Sequence, residues 1–341
     1  MCKENRARAR PAAFAVQTYT AIFEQEDGLT HRRSNVATTV PRRLLIYGAL
    51  FYVVLAWAIN MIVAKQAIEH MNPLAFTFLR FIIMTPLAFV LLWISGGRIR
   101  IERRDVPTLL LCGACGFGIY QYFWVLGLAR TTPFATALLG ATTPIFTLAI
   151  VALARHERVR PGRWLGALIA LLGVAIFEGA FSGVARVRVG DALVLGSAIV
   201  FAGYNVIGSR LMSRYAPLEL LAITISLGML ILLPAGLPAL VHTNLATLGW
   251  GVWWRIVYAT LFPILLTYPV WIWGINKLGT GKGSIVAFFL PVLTGILSVP
   301  ILHATFPSYE VAGTIVCLGG MFFAFALGRE QKGAIDDIRA A

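Results

Sequence analysis

The sequence predicts an all-α membrane protein: ten transmembrane helices arranged as two inverted five-helix repeats, with N and C termini cytoplasmic. Three observations predict it. Apolar residues make up 58% of the chain and charged residues only 13%, about half the charged share of a soluble domain, and the mean hydropathy is +0.78. The apolar residues gather into runs of about 20, the length that crosses a hydrocarbon core about 30 Å thick as a helix. Two of those runs, "GATTPIFTLAIVALARH" from Gly140 and "AFFLPVLTGILSVPILH" from Ala287, are one pattern written twice.

The ten spans fall at 43–64, 73–95, 106–129, 132–154, 163–181, 191–213, 218–240, 251–275, 281–302 and 308–328. Gly, Ala and Thr are frequent within them, as close helix contacts in lipid require. The short connections predict antiparallel hairpins between neighbours. Residues 1–42 carry many charges and no sustained apolar run. They lack the apolar core of a secretory signal and read as a disordered basic cytosolic tail, with 329–341 as a second tail.

Basic residues mark the cytoplasmic side of a membrane protein. With the N-terminus inside, the inner loops hold Arg98, Arg100, Arg103, Arg104, Arg155, Arg158, Arg160, Arg163, Arg210, Arg214, Lys277 and Lys282. The outer loops hold only Lys65, Arg130, Arg186 and Arg188. The net charge of +14 is therefore spread between apolar runs and forms no single basic face, which argues against a nucleic-acid partner. Cys112 and Cys115 form a C-x-x-C inside an apolar segment with no further ligands nearby. They read as small packing residues, and neither a metal nor a cofactor is expected.

The repeat runs beyond the opening pair. Pro144 and Pro291 are 147 positions apart, and the same offset pairs Trp124 with Trp271, Gly127 with Gly274, Gly166 with Gly313 and Gly173 with Gly320. Asn60 and Asn205 pair at 145. Repeat units at 43–181 and 191–328 each hold five spans, an odd number, so the second enters the membrane inverted. Inverted repeats characterise carriers that bind substrate near the midplane, between the repeats.

Two stretches then suggest a family. "LAWAINMIVAKQAIEHMNPLAFTFLRFIIM" resembles the first hairpin of EamA-type transporters of the drug/metabolite transporter superfamily. "ARTTPFATALLGATTPIFTLAIVALARHERVRPGRWLGALIALLGVAIF" is similar to the end of their first domain. The resemblance covers 43–328 and is greatest to the bacterial aromatic amino acid exporters. It implies a ten-helix, two-repeat carrier of small metabolites in the bacterial inner (plasma) membrane. One position departs from the family: Glu157 stands after the hairpin of the first repeat, but Ala304 occupies the matching place in the second.

The expected substrate contacts are Trp57 and Asn60 in the first span, Arg80 in the second, and Tyr120, Gln121 and Trp124 in the third. Tyr204 and Asn205 in the sixth span and Tyr268 and Trp271 in the eighth complete them. Asparagine in hydrocarbon needs hydrogen-bond partners, so Asn60 and Asn205 are either interhelical glue or pocket contacts. The aromatic residues either pack the core or line a pocket. Arg80 snorkels, pairs with a helix end or meets a substrate carboxylate. Pro144 and Pro291 are expected to bend their helices as gates, with the hydroxyls of Thr142 and Thr143 available to a freed carbonyl.

A cavity with one buried cation and no carboxylate in the first span suits neutral or zwitterionic metabolites, amino acids first. The predicted function is their non-ATP export by a carrier, read as a monomer, working by alternating access. Alternatives are a carrier for sugar phosphates or drugs, or a membrane-embedded enzyme. Phosphates would call for more buried cations, and an enzyme for clustered His, Asp or Glu near one surface.

Overall fold

The computed structural model describes residues 42–154, 161–182, 188–278 and 285–340. Residues 1–41, residues 155–160 with His156 and Glu157, and the basic residues Arg186 and Lys282 lie outside the described residues. Within them the chain is helical, without strands. In order the elements are α1 (Arg42–Ile68), α2 (Pro73–Ile94), α3 (Val106–Gly113), α4 (Ile119–Arg130), α5 (Pro133–Ala141), α6 (Thr143–Leu153) and α7 (Pro161–Phe177). They continue with α8 (Val189–Leu211), α9 (Pro217–Val241), α10 (Trp250–Thr260), α11 (Thr267–Leu278), α12 (Phe289–Leu302) and α13 (Ser308–Ala340).

Seven helical stretches are long and apolar enough to cross a membrane, and two shorter apolar helices accompany them, Pro161–Phe177 and Val286–Leu302. Two stretches contain a wide, π-helical turn, Ala114–Gly118 between α3 and α4 and Leu261–Leu266 between α10 and α11. The second lies at the positions that the 147-residue offset assigns to the first. Each has its own chemical cause. Around the first, Gly113, Gly116 and Gly118 lie so close to α8 and α9 that a methyl group would strike Leu227, Tyr204 and Ile231. The second contains Pro263, which lacks the N–H of a regular turn.

The principal packing differs from the hairpins expected from short loops. The most extensive helix pairings are α7 with α13, α2 with α9, α4 with α8, and equally α1 with α12 and α6 with α8, each joining residues before 178 to residues after 188, whereas α1 and α2 scarcely touch. In lipid, helices associate where small residues let backbones approach, and here glycines lie on those crossing faces. Gly166 meets the backbone of Ala324, Gly173 that of Cys317, Gly320 that of Ala170 and Gly313 that of Phe177. A shift of 147 residues turns the first contact into the last and the second into the third, so α7 and α13 cross antiparallel about a local two-fold relation. Gly127 against Val194 and Gly274 against Leu50 repeat the relation between α4 and α8 and between α11 and α1.

Polar contacts fasten both ends. At one end Lys65 donates to the carbonyls of Leu128, Ala129 and Thr131 at 3.0, 3.2 and 3.0 Å, a cation at the negative end of α4. Thr131 donates to the carboxylate of Asp191, which is only 3% exposed. At the other end Asp105 accepts from Arg214 and from the Tyr215 hydroxyl, and Glu219 accepts from the Arg100 amide at 2.8 Å. Burial raises the Tyr215 phenol above its ordinary pKa, so the group remains a donor.

Candidate functional site

The interior between these ends is shaped by prolines and the carbonyls they release. A proline at position i leaves the carbonyl of i−4 without its helical donor. Pro263 therefore frees Ala259, and Arg80 takes that carbonyl with both Nε (3.0 Å) and Nη2 (2.7 Å). Of the three positions open to Arg80 in the sequence, the structure shows the helix-end pairing, at the last turn of α10. The side chain is 2% exposed, and its guanidinium lies 5.2 Å from the centre of the Phe76 ring, within cation–π range. Trp57 spans to the same wide turn from α1. Its indole N–H donates to the Pro263 carbonyl at 2.8 Å and lies 3.0 Å from the Thr267 hydroxyl, which itself donates to Pro263.

Pro144 works differently from the mid-helix bend expected of it. The helix stops at Ala141 and restarts at Thr143, so Pro144 occupies the first turn of α6, where its missing N–H costs nothing. Gly140, four residues earlier, accepts instead from the Thr143 hydroxyl at 2.7 Å, and Thr142 donates to Leu139. Pro291 occupies the corresponding first turn of α12, behind a 3₁₀ turn at Ile285–Phe288.

The aromatic residues form two groups. Trp57 and Trp271 lie 5.0 Å apart at 50°. Tyr120 stacks near Phe201 (4.6 Å), Phe201 on Tyr204 (5.2 Å), and Tyr204 meets Phe117 edge-on (5.8 Å). Tyr268 borders the apolar cluster of Phe78, Phe81 and Phe117 that Tyr204 also borders. Trp124 is enclosed in another cluster with Ala64, Phe76, Val125 and Ala259. The two asparagines are not equivalent: Asn60 is 7% exposed, whereas Asn205 is exposed on α8.

Among the described residues five buried polar atoms have no partner: Asn60 Oδ1, Thr77 Oγ1, Arg80 Nη1 and Gln121 Oε1 within the helices, and Glu178 Oε1 just past the end of α7. Three of them share one depth. Counting inward from Ile68, Pro73 and Arg130 at about 1.5 Å per residue places Asn60, Arg80 and Gln121 about 10–14 Å from the same end. One helical turn towards that end, on the same faces, stand Ala64, Phe76 and Val125, all members of a single apolar cluster. The three polar residues thus form a layer directly beneath an apolar plug. Thr77 and the Ala259 carbonyl were not expected there, although Pro263 in an apolar run is a sequence signal for the latter. Among the described residues no group of three His, Cys, Asp or Glu could hold a metal. Cys112 and Cys115 are free thiols beside Gly208 and Gly203.

Comparison with known proteins agrees with this architecture. An uncharacterized transporter of Archaeoglobus fulgidus is 27% identical over 270 residues, covering 78% of this chain and 93% of that protein. A probable terminal-alkyne amino-acid exporter of Streptantibioticus cattleyicolor is 27% identical over 250 residues, 72% of this chain and 83% of the relative. A probable amino-acid metabolite efflux pump of Salmonella typhimurium is 23% identical over 295 residues, 82% and 95% respectively. A solved crystal structure superposes with a TM-score of 0.60 at 20% identity, covering 84% of this chain and 97% of that one, which speaks to the fold alone. The sequence profile of the EamA-like transporter family matches residues 44–178 and 188–326. With its apolar helices and transporter relatives, the chain is a multi-pass membrane protein that moves a small molecule and not an enzyme: it belongs to the EamA-like transporter family.

Proposed function

We propose that the protein is a secondary transporter exporting small neutral or zwitterionic metabolites, foremost amino acids including aromatic ones, by alternating access. Ten spans in two inverted repeats, with both termini cytoplasmic, carry the path. The repeat is supported by the shared 147-residue spacing of the two wide turns, by the exchange of glycine contacts between α7 and α13, and by the two segments that match the family. The observation that carries the substrate reading is the character of the unpartnered buried atoms at one depth of the helices, the amide oxygens of Asn60 and Gln121 and a guanidinium N–H of Arg80, next to the apolar cluster that holds Trp124 and Tyr120. A phosphate would need several such cations. Two of the relatives are described as a probable terminal-alkyne amino-acid exporter and a probable amino-acid metabolite efflux pump.

Alternating access follows from the interrupted helices. Segments joined at Thr142 and at the two wide turns can reorient with few hydrogen bonds to break, because hydroxyls and side chains already hold the freed carbonyls. The test is flux of labelled amino acids in proteoliposomes, with and without a proton gradient. Flux no greater than in empty liposomes for every amino acid would end the substrate reading.

A further inference from the structure

We infer that Arg80, Asn60 and Gln121 form a receptor for the head group of an α-amino acid, Arg80 Nη1 taking the carboxylate and the two amide oxygens the ammonium. The inference rests on the transporter reading and goes beyond it by assigning the contacts. Arg80 is the anchor. Its Nε and Nη2 are spent on the Ala259 carbonyl, while Nη1 is buried without a partner. Among the described residues no carboxylate pairs with it; the ion pairs present are Arg104–Glu102 and Arg214–Asp105, at the far end of the bundle. A buried cation whose neighbours are a carbonyl, an aromatic face and a phenol, with no carboxylate among them, retains most of its demand for an anion. Asn60 Oδ1 and Gln121 Oε1 are acceptors without donors at the same depth. An ammonium supplies donors and no acceptor. One donor for an anion and two acceptors for a cation, in a single layer beneath an apolar plug, complement a zwitterion rather than a simple anion or cation.

The geometry also separates the two roles of Arg80. Its structural role, capping Ala259, exists because Pro263 has no N–H. Pro263→Ala restores a backbone donor four residues after Ala259, so a variant lacking the guanidinium can fold in that background. The ligand role cannot be restored in this way.

The experiment uses the full chain in liposomes, with labelled phenylalanine as the probe and unlabelled phenylalanine, phenylalanine methyl ester and N-acetylphenylalanine as competitors. Wild type should be inhibited by phenylalanine, and about tenfold or more weakly by the ester, which lacks the carboxylate, and by the N-acetyl compound, which lacks the ammonium. The Pro263→Ala/Arg80→Gln double variant should melt close to Pro263→Ala alone, yet need about tenfold or more phenylalanine for half-maximal flux. If the ester competes as well as the free acid, or if the double variant carries phenylalanine like Pro263→Ala, Arg80 is only a cap and the receptor assignment is overturned while the carrier reading stands. If wild type carries no amino acid at all, both readings fall. Should the double variant not fold, the competition series on wild type still decides the matter.

Discussion

Single residues in this protein are chiefly occupied with backbone that the chain itself has left unpaired. Thr143 donates to Gly140, and Trp57 to Pro263. Removing the Thr143 hydroxyl leaves the Gly140 carbonyl stranded in a medium without water, at about 1–3 kcal/mol, whereas the Pro263 carbonyl loses one of two donors and keeps the Thr267 hydroxyl. Thr143→Val is expected to lower the melting temperature of the purified protein, whereas Thr143→Ser, which keeps the hydroxyl, should restore most of it. Trp57→Phe keeps most of the ring but loses the N–H. A fall in both melting temperature and flux is expected, and unchanged melting would show that Thr267 alone satisfies Pro263. At this scale the sequence was partly legible. The hydroxyls next to Pro144 could be picked out because they are neighbours in the chain. The partner of Arg80 could not, because the carbonyl it caps lies 179 positions away, and only the missing N–H of Pro263 marks that carbonyl as free.

At the scale of elements, the glycines decide which helices touch. Gly173 lies against the Cys317 backbone and Gly313 against that of Phe177, so no side chain fits between α7 and α13. Gly173→Val should cost about 1–3 kcal/mol by overpacking, read as a lower melting temperature, and Gly319→Val on the same α13, with nothing within 4 Å, should cost far less. Equal losses would mean that the seam is looser than the backbone contacts require. Hydropathy marked the apolar segments from composition alone, because a span is a local property. It did not reveal that α1 and α2 scarcely touch while α2 lies along α9, because apolar faces in lipid choose partners by shape. The periodic glycines were visible as repeats, but their role as contact points emerges only when two helices are placed together.

For the whole molecule, the open assignment is which end faces the cytoplasm. From the distribution of Lys and Arg we predict that the end bearing Arg100, Arg214 and Glu219 faces inside and the end bearing Lys65, Thr131 and Asp191 outside. With the four native cysteines changed to serine, Ser213→Cys should react with a membrane-impermeant maleimide only in inside-out vesicles. Asn244→Cys should react only in right-side-out cells, and the reverse pattern would invert the topology. In the sequence, the repeat we propose rests on a constant spacing of prolines, tryptophans and glycines. Asn60 and Asn205 show the limit of that symmetry. One is buried in the polar layer and its counterpart is exposed, so two halves of one plan carry different chemistry at matching places.

The seam between α7 and α13 also bears on ancestry. Because its contacts interchange when one half is exchanged for the other, the surface that holds residues 44–178 to 188–326 is self-complementary in an antiparallel sense. A half-length ancestor inserted in both orientations could have paired with itself through this same surface before fusion made the arrangement permanent. The two halves made as separate polypeptides should therefore find each other in the membrane, and co-purification of a tagged 1–182 fragment with an untagged 183–341 fragment would show that this surface holds them without a covalent link.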